Sequence, residues 1–267
     1  MAKDARIVKS KFGNGWVLAI SDILVMTQRN LLRYIRLPQL IIFSTIQPVM
    51  FVVLFAYVFG GAIKTPGVDY INYLIPGIIV QSVIFGSVQT GIGLAEDLSK
   101  GMIDRFRSLP MARSAVLAGR TLADTARNIF VVILMTLVGL IIGFRFQAGF
   151  AEIITALALT VLFGFAFSWV SATIGMLVKE VETAQVAGFI WIFPLVFASS
   201  IFVPVETMPD WLQSFAKVNP ITVSANAVRG LSLGGSVVSP LLQSLGWIFL
   251  ILIVFIPLAI VTYRRRV

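Results

Sequence analysis

The sequence contains no cysteine and no histidine, and only 12% of its 267 residues are charged. Without thiols or imidazoles it has no disulfide, no thiolate nucleophile, no histidine base and almost none of the usual zinc or haem ligands. Soluble domains carry about 25% charged residues. Hydrophobic residues make up 58% of this chain, and its mean hydropathy is +0.95. The composition therefore indicates a protein that places its apolar surface in a bilayer.

Two further absences narrow the function. The sequence has no G-x-x-x-x-G-K-[ST] phosphate loop, so it shows no nucleotide-hydrolysing site of its own. Acidic residues are missing from the middle of every long apolar run, which argues against a proton-coupled carrier. The net charge of +9 lies mainly beside the apolar runs, so we do not interpret it as a nucleic-acid footprint.

Six apolar runs reach about 20 residues, the length that a membrane-spanning helix needs. If each run is a span, 17 Lys and Arg residues lie on the side that holds both termini and 4 lie on the other side. The positive-inside rule then makes the side of the termini cytoplasmic. We predict an all-α polytopic membrane protein that is one transmembrane domain over residues 1–267. The predicted spans are about 39–60, 71–94, 126–144, 153–178, 184–203 and 241–263.

Residues 16–37 are interrupted by charges and are not predicted to span the membrane. As a helix, this segment has an apolar side and a polar side that carries three arginines, so it is typical of a helix lying in the cytoplasmic interface, where it contacts membrane lipids. The apolar side holds Trp16, Ile20, Ile23, Leu24, Leu31 and Ile35, and the polar side holds Asp22, Arg29, Arg33 and Arg36.

Residues 96–110, between the second and third predicted spans, are the densest mixed-charge stretch. Leu98, Met102 and Phe106 recur at i, i+4 and i+8 and predict an apolar helix face, whereas Glu96 and Lys100 form a favourable pair on the other side. Such a helix is suited to docking on another protein, but its apolar face can also pack against the chain's own interface helix. The other candidate residues of this segment are Asp97, Asp104, Arg105 and Arg107.

Residues 204–231, before the last span, predict two short helices on the outer side. Pro209 and Asp210 suit the first turn of one helix, and Asn219 followed by Pro220 suits the start of the next, which we expect to end near residue 230. These helices are predicted to be re-entrant or interfacial. They could gate an exit, or they could be a plug that seals the outer leaflet.

Polar residues near or within the spans are few. Arg120, Asp124 and Arg127 share one helix face and predict an ion-pair ladder at the membrane surface. Most of the uncharged polar residues are expected to serve helix packing. A minority are candidates for lining a substrate route: Gln47, which precedes Pro48, and Gln81 and Ser199.

The order of these features resembles a known family. An interface helix precedes six spans. A mixed-charge helix carries Arg105-x-x-x-Leu109-Pro110-x-x-Arg113 and is soon followed by Gly119-Arg120, while Met208-Pro209-Asp210-Trp211-Leu212 and Asn219-Pro220 precede the last span. Together they resemble the permease subunits of type-2 ABC exporters, and most closely the daunorubicin-resistance-type subgroup for drugs or amphipathic lipids. Val223 departs from the family, whose members often have an aromatic residue nearby.

The resemblance implies a half-transporter in a bacterial cell membrane. Two permeases, identical or related, would form the pathway. A separate ATPase subunit, which would bind ATP and Mg, would dock on the coupling helix at residues 96–110, and no cofactor is expected on this chain. Two other classes stay open: a secondary carrier or channel without an ATPase, and an intramembrane enzyme. Neither the ionisable midplane groups of the first nor the catalytic cluster of the second stands out.

Overall fold

The computed structural model describes residues 15–37, 39–63, 65, 67–107 and 114–266, and these residues form α-helices without any β-strand. A π-helical stretch, Leu54–Phe59, continues the helix Gln39–Val53, and a 3-10 turn, Val205–Thr207, precedes the helix Asp210–Val218. The helices are α1 (Gly15–Arg36), α2 (Gln39–Val53), α3 (Tyr70–Ser99), α4 (Met102–Arg107), α5 (Ala115–Ile142), α6 (Phe150–Leu177), α7 (Val181–Phe197), α8 (Asp210–Val218), α9 (Pro220–Leu233) and α10 (Val238–Arg266).

Four helices of the described chain are long and apolar enough to cross a membrane: α3, α5, α6 and α10. They contain the second and sixth predicted spans, all but the last two residues of the third and all but the last residue of the fourth. Shorter apolar helices, Ser44–Phe59 and Val181–Phe197, lie at the first and fifth. The prediction for the fifth run, which extended to residue 203, is wrong about the helix end, because α7 stops at Phe197.

The long helices differ in what surrounds them. In the most apolar window of α3, 83% of the residues are buried inside the protein, against 11% in α10. Helix α3 packs against α5, α6, α7 and α9, and its buried residues include glycine, serine and glutamine. Small and polar residues are tolerated there because their neighbours are other helices, whereas a peripheral helix needs large apolar side chains against lipid.

Helices α3 and α6 approach most closely at a pair of glycines. A Cβ atom on Gly91 would lie 2.4 Å from the carbonyl oxygen of Ser171, and one on Gly175 would lie 2.2 Å from the carbonyl oxygen of Gly91. Any side chain at either position would force the two backbones apart. This contact fixes the spacing of the central pair of helices.

Helix α1 coincides with the predicted interface helix at residues 16–37. Met26, Asn30 and Tyr34 form a buried face that packs on α5, close to Gly119. A different face is exposed and apolar, with Ile20 and other large side chains open to the surroundings. The helix therefore has one face that packs on the protein and another that faces an apolar environment. The sequence pattern distinguished only an apolar side from a polar side, so it did not reveal that there are two such faces.

Residues 204–231 contain two helices where the sequence predicted them. Asp210 starts α8, and Asn219 caps α9 by accepting a hydrogen bond from the backbone N–H of Ile221 at 2.9 Å. Pro220 occupies the first turn of α9. The second helix ends at Leu233, three residues later than expected, with Gly234 at positive φ as its C-cap.

Candidate functional site

The segment at residues 96–110 is not one continuous helix, so that prediction is wrong. Helix α3 ends at Ser99, and the chain turns at Lys100 and Gly101 before α4 begins at Met102. Gly101 has a φ of +64°, a left-handed conformation that glycine adopts easily and that ends a helix. The side chains of Asp104 and Arg107 and residues 108–110 lie outside the described part of the chain.

The apolar side chains of this segment pack inside the protein. Phe106 is buried, and Leu98 and Met102 are half-buried. Together with Ile103, they join a cluster that includes Met26 of α1, Trp169 and Met176 of α6, and Tyr263 of α10. The expectation that this face is free for a partner is therefore wrong for Phe106. The alternative, packing against the chain's own interface helix, describes what is observed.

Charged side chains join α1 to the end of α3. Arg29 donates to both carboxylate oxygens of Asp97, at 2.9 and 3.3 Å, and its guanidinium lies 4.8 Å from the ring centroid of Phe106. Arg33 pairs with Glu96, which also accepts from Lys100 at 2.6 Å. Two arginines expected to face lipid headgroups thus bind carboxylates of their own chain, because those carboxylates lie within reach on α3.

Among the described residues of this segment, the turn and one side chain of α4 stay exposed. Ser99, Lys100 and Gly101 are exposed, as is Arg105 on α4. Any protein that contacts this region therefore meets a polar, cationic turn instead of an apolar face. The apolar side of α4 faces the bundle and connects the turn to α1, α6 and α10.

A buried polar network lies next to this region. Asp124 on α5 is fully buried and accepts hydrogen bonds from Thr90 Oγ1 on α3 at 2.6 Å, from the Tyr34 hydroxyl on α1, and from Arg120 Nε at 3.2 Å. The predicted ion pair of Arg120 and Asp124 is confirmed, but it is enclosed by three helices and does not form a surface ladder. Arg127 donates to the carbonyl oxygen of Gly86 at 2.6 Å.

Sequence reasoning missed two members of this network, Tyr34 and Thr90. Met26, Asn30 and Tyr34 are spaced by four residues and share one face of α1. Dividing this helix into a buried, a lipid-facing and a polar face would have identified Tyr34 as a buried residue. Burial raises the pKa of Tyr34, and the neighbouring Asp124 carboxylate raises this pKa further. The phenol therefore stays protonated at neutral pH and remains a hydrogen-bond donor to Asp124.

The three candidates for a substrate route occupy different surroundings. Ser199 is buried and its hydroxyl donates to the carbonyl oxygen of Val196, so it serves the end of α7. Gln47 is half-buried on α2. Gln81 is buried, and neither polar atom of its amide has a hydrogen-bond partner among the described residues. A buried amide without partners is costly, so of the three candidates Gln81 is the one whose position least serves stability.

Gln81 lies on the face of α3 that α7 and the turn after it cover. Phe85, one helical turn further along, packs on Phe193 with ring centroids 5.5 Å apart. Gly77, one turn earlier, is so close to Ile201 that a Cβ atom would lie 2.9 Å from its carbonyl oxygen. The amide is thus placed between aromatic side chains and the end of α7.

An aromatic surface connects α2 and α7. Phenylalanines recur at four-residue spacing on both helices, and Phe202 joins the two rows, with ring centroids 4.2 Å from Phe55 and 5.5 Å from Phe197. Several of these rings are exposed. The members are Phe51, Phe55 and Phe59 on α2 and its π-helical extension, and Phe189, Phe193 and Phe197 on α7. We call this set, with Phe202, the phenylalanine surface.

The sequence places Arg229 only among the four basic residues predicted to lie on the side opposite the termini. It is in fact buried on α9, and its guanidinium lies 3.7 Å from the ring centroid of Tyr73 on α3. No sequence signal reveals that Arg229 is buried and joins two helices, because its hydrogen-bond partners are mainly backbone carbonyl groups. Within the described residues, no group of three or more Asp or Glu side chains is placed to hold a metal ion.

Comparison with known proteins defines the class of protein. Residues 21–233 match the ABC-2 type transporter family, and the chain belongs to that family. It is 35% identical to the daunorubicin resistance ABC transporter permease protein DrrB1 of Streptomyces coeruleorubidus, over 93% of this chain and 88% of the relative. It is 28% identical to the probable doxorubicin resistance ABC transporter permease protein DrrC of Mycobacterium tuberculosis, over 93% and 90%.

The match extends to more distant relatives. A putative transport permease, ycf38, of Cyanophora paradoxa is 25% identical over 79% of this chain and 74% of its own length. The resemblance to daunorubicin-resistance-type permeases is therefore confirmed, and the chain is a membrane permease of the ABC-2 type. The described helices agree with this assignment, since four of them are long and apolar enough to cross a membrane.

Proposed function

We propose that this permease is the membrane subunit of an ATP-driven exporter that moves an amphipathic or hydrophobic drug or lipid out of the cytoplasm or the inner leaflet. The observation that carries the proposal is its similarity along 93% of its length to permeases named for daunorubicin and doxorubicin resistance. The exposed phenylalanine surface supports an apolar or aromatic substrate, because stacked rings bind such molecules without charged partners.

Hydrolysis of ATP, with Mg, is assigned to a separate ATPase subunit, because this sequence has no phosphate loop. Among the described residues of the segment 96–110, the turn at Ser99, Lys100 and Gly101 and the side chain of Arg105 are exposed and open to such a partner. When the ATPase displaces this turn, the displacement is transmitted to the spans through Phe106 and the apolar cluster around it. The ion pairs of Arg29 and Arg33 with Asp97 and Glu96 transmit the same displacement to α1.

The ATPase proposal predicts a charge-dependent complex. We expect the permease purified from native membranes to retain an ATPase chain, and export of an amphipathic dye by the complex to require ATP. Lys100→Glu should weaken retention of the ATPase by about tenfold, as expected for one hot-spot contact of about 1.4 kcal/mol. The matched control is Lys179→Glu, which changes an exposed lysine between α6 and α7. ATP-independent export, as by a secondary carrier or channel, would contradict the proposal.

We further propose six spans with both termini in the cytoplasm. The four long helices, together with α2 and α7, supply the six, and 17 of 21 basic residues then lie on the cytoplasmic side. Helix α1 lies in the cytoplasmic interface with its exposed apolar face in the lipid. Helices α8 and α9 are the outer re-entrant segment.

We assign the substrate route to the phenylalanine surface and to Gln81, with Gln47 nearby on α2, and we expect a second permease, identical or related, to close the route. In this arrangement the amide of Gln81 becomes a hydrogen-bonding group for substrate when α7 moves away from α3. Gln81→Leu should then slow export without lowering the yield of folded protein, because it removes two unpaired polar atoms.

A cross-linking experiment tests the second permease. Ile190 on α7 is 70% exposed and lies next to the phenylalanine surface. Ile253 is equally suitable for labelling, at 68% exposed, but it lies on α10, a peripheral helix that is not part of that surface. In this chain, which lacks cysteine, a single cysteine at position 190 is expected to give a covalent dimer in native membranes after mild oxidation. A cysteine at position 253 should leave the chain monomeric. Equal yields from both positions would argue against this interface.

A further inference from the structure

The end of α7 is capped by side chains that belong to the outer segment. A helix leaves its last carbonyl groups without partners from its own backbone. Asn219 Nδ2 donates to the carbonyl oxygens of Leu195 at 2.7 Å and Ala198 at 3.0 Å. Arg229 Nη2 donates to those of Ser200 and Ile201, the latter at 3.1 Å. Asn219 thus satisfies a carbonyl group in the last turn of α7 and that of its C-cap residue, and Arg229 satisfies two carbonyl groups of the turn that follows.

Arg229 also reaches the central helix. Its Nε donates to the carbonyl oxygen of Tyr73 on α3 at 2.8 Å, and its guanidinium stacks on the Tyr73 ring. The hydroxyl of Tyr73 donates in turn to the carbonyl oxygen of Ser200 at 2.8 Å. One side chain therefore holds together α9, α3 and the turn after α7.

The acceptors around Arg229 are neutral. The ion pairs found among the described residues involve other side chains, and the partners of Arg229 are backbone carbonyls, the Ser200 hydroxyl and the Asn226 amide. A buried cation without a counter-charge gives up hydration that neutral acceptors replace only in part. Asn226, on the same helix, is exposed, so a movement of α9 can bring the guanidinium into contact with water. Release of Arg229 therefore restores hydration that offsets part of the hydrogen bonds that are lost.

We propose that Arg229 is a latch that holds the outer segment, α8 and α9, over the end of α7 and α3 in the closed state, and that its release opens the exit. Of the two roles open for the outer segment, this selects a gate over a fixed plug. Asn219 couples the gate to α7, so a movement of α7 pulls on the latch. The proposal rests on the proposed export function, which gives the exit its purpose.

Cysteine labelling tests the latch on the permease alone, without ATPase or substrate. Ala225 lies one turn before Arg229 on α9 and is fully buried. A cysteine at position 225 should be shielded from an impermeant maleimide added outside. In the Arg229→Gln background we expect this cysteine to react at least about tenfold faster. The fraction of molecules in the open state rises exponentially with the free energy of the contacts that hold α9 closed and that this variant removes.

The matched control is Arg145→Gln. Arg145 Nη1 also donates to backbone carbonyls, those of Leu140 and Phe144, both at 2.8 Å, but it is exposed and stays within its own helix end. This variant should leave position 225 shielded. Arg229→Lys retains the charge without the planar fork and should give an intermediate rate. A cysteine at the exposed Ser214 should label from outside in every background, which also tests the proposed orientation.

Three results would overturn the latch. One is an unchanged rate at position 225 in Arg229→Gln or, if that variant does not fold, in Arg229→Lys. Another is equal acceleration by Arg145→Gln. The third is parallel exposure, to a permeant maleimide, of a cysteine at Ala172, which is buried at the other end of the bundle, because that would show general loosening. Failure of ATP-driven export would overturn the proposed function and leave the labelling result standing.

Discussion

Asp124→Asn is expected to lower the free energy of unfolding by about 3–5 kcal/mol, the usual cost of removing one partner from a buried ion pair. The wild-type carboxylate is fully buried and compensates the charge of Arg120 while Arg127 lies nearby on the same face. The amide removes that charge and leaves two buried guanidinium groups without the carboxylate that lies between them. The measurement is denaturant-induced unfolding of the purified permease in mixed micelles.

The control for this variant is Asp210→Asn. Asp210 is exposed in the first turn of α8, where its interaction with the helix dipole is worth about 0.3–1 kcal/mol. Tyr34→Phe, which leaves Asp124 without one donor, should fall between the two, at about 1–3 kcal/mol. Equal losses for Asp124→Asn and Asp210→Asn would show that the network does not hold α1, α3 and α5 together.

Phe106→Ala is expected to destabilise the permease by about 3–5 kcal/mol, the range for removing a buried aromatic side chain. Phe106 is 9% exposed and packs with side chains of α1, α6 and α10, so its loss leaves a cavity where these helices meet α4. The unfolding assay used for Asp124 measures this loss. Phe150→Ala is the control, since Phe150 is 79% exposed and should cost far less.

The same variant separates packing from docking. If Phe106 transmits force from inside the bundle, the fraction that stays folded should still bind the ATPase, while ATP hydrolysis is less well coupled to export. If Phe106 fills a pocket on the ATPase, stability should be unchanged and ATPase binding should fall by about thirtyfold, for a contact of about 2 kcal/mol. The second result would contradict the burial of this ring and restore the docking face.

Local sequence signals predicted the elements that depend on neighbouring residues in the chain. Asn219 and Pro220 mark the start of α9 because an N-cap and a first-turn proline act within one helical turn. Helix α1 was predicted from the alternation of charged and apolar positions, and the long spans from their apolar length, because a bilayer selects for composition and length without regard to partners. The family resemblance rested on the order of such segments.

What the sequence could not show is which partner each face meets. The face of Leu98, Met102 and Phe106 is equally apolar whether it meets an ATPase or α1, and only the fold places Met26 and Trp169 against it. The turn at Gly101 was missed because the helical pattern continues across it, although the backbone does not.

The amino-acid sequence by itself determined that this is a helical membrane protein, because apolar length and composition are properties of the linear chain, and the order of its segments carried the resemblance to ABC-2 type permeases. Only the tertiary structure decided which hydrogen-bond partner each buried polar group has. Asp124 receives donors from positions 34 and 90, and Arg229 binds carbonyl groups at positions 73, 200 and 201. Such contacts join residues far apart in the chain, and backbone carbonyls carry no side-chain identity that a sequence could display.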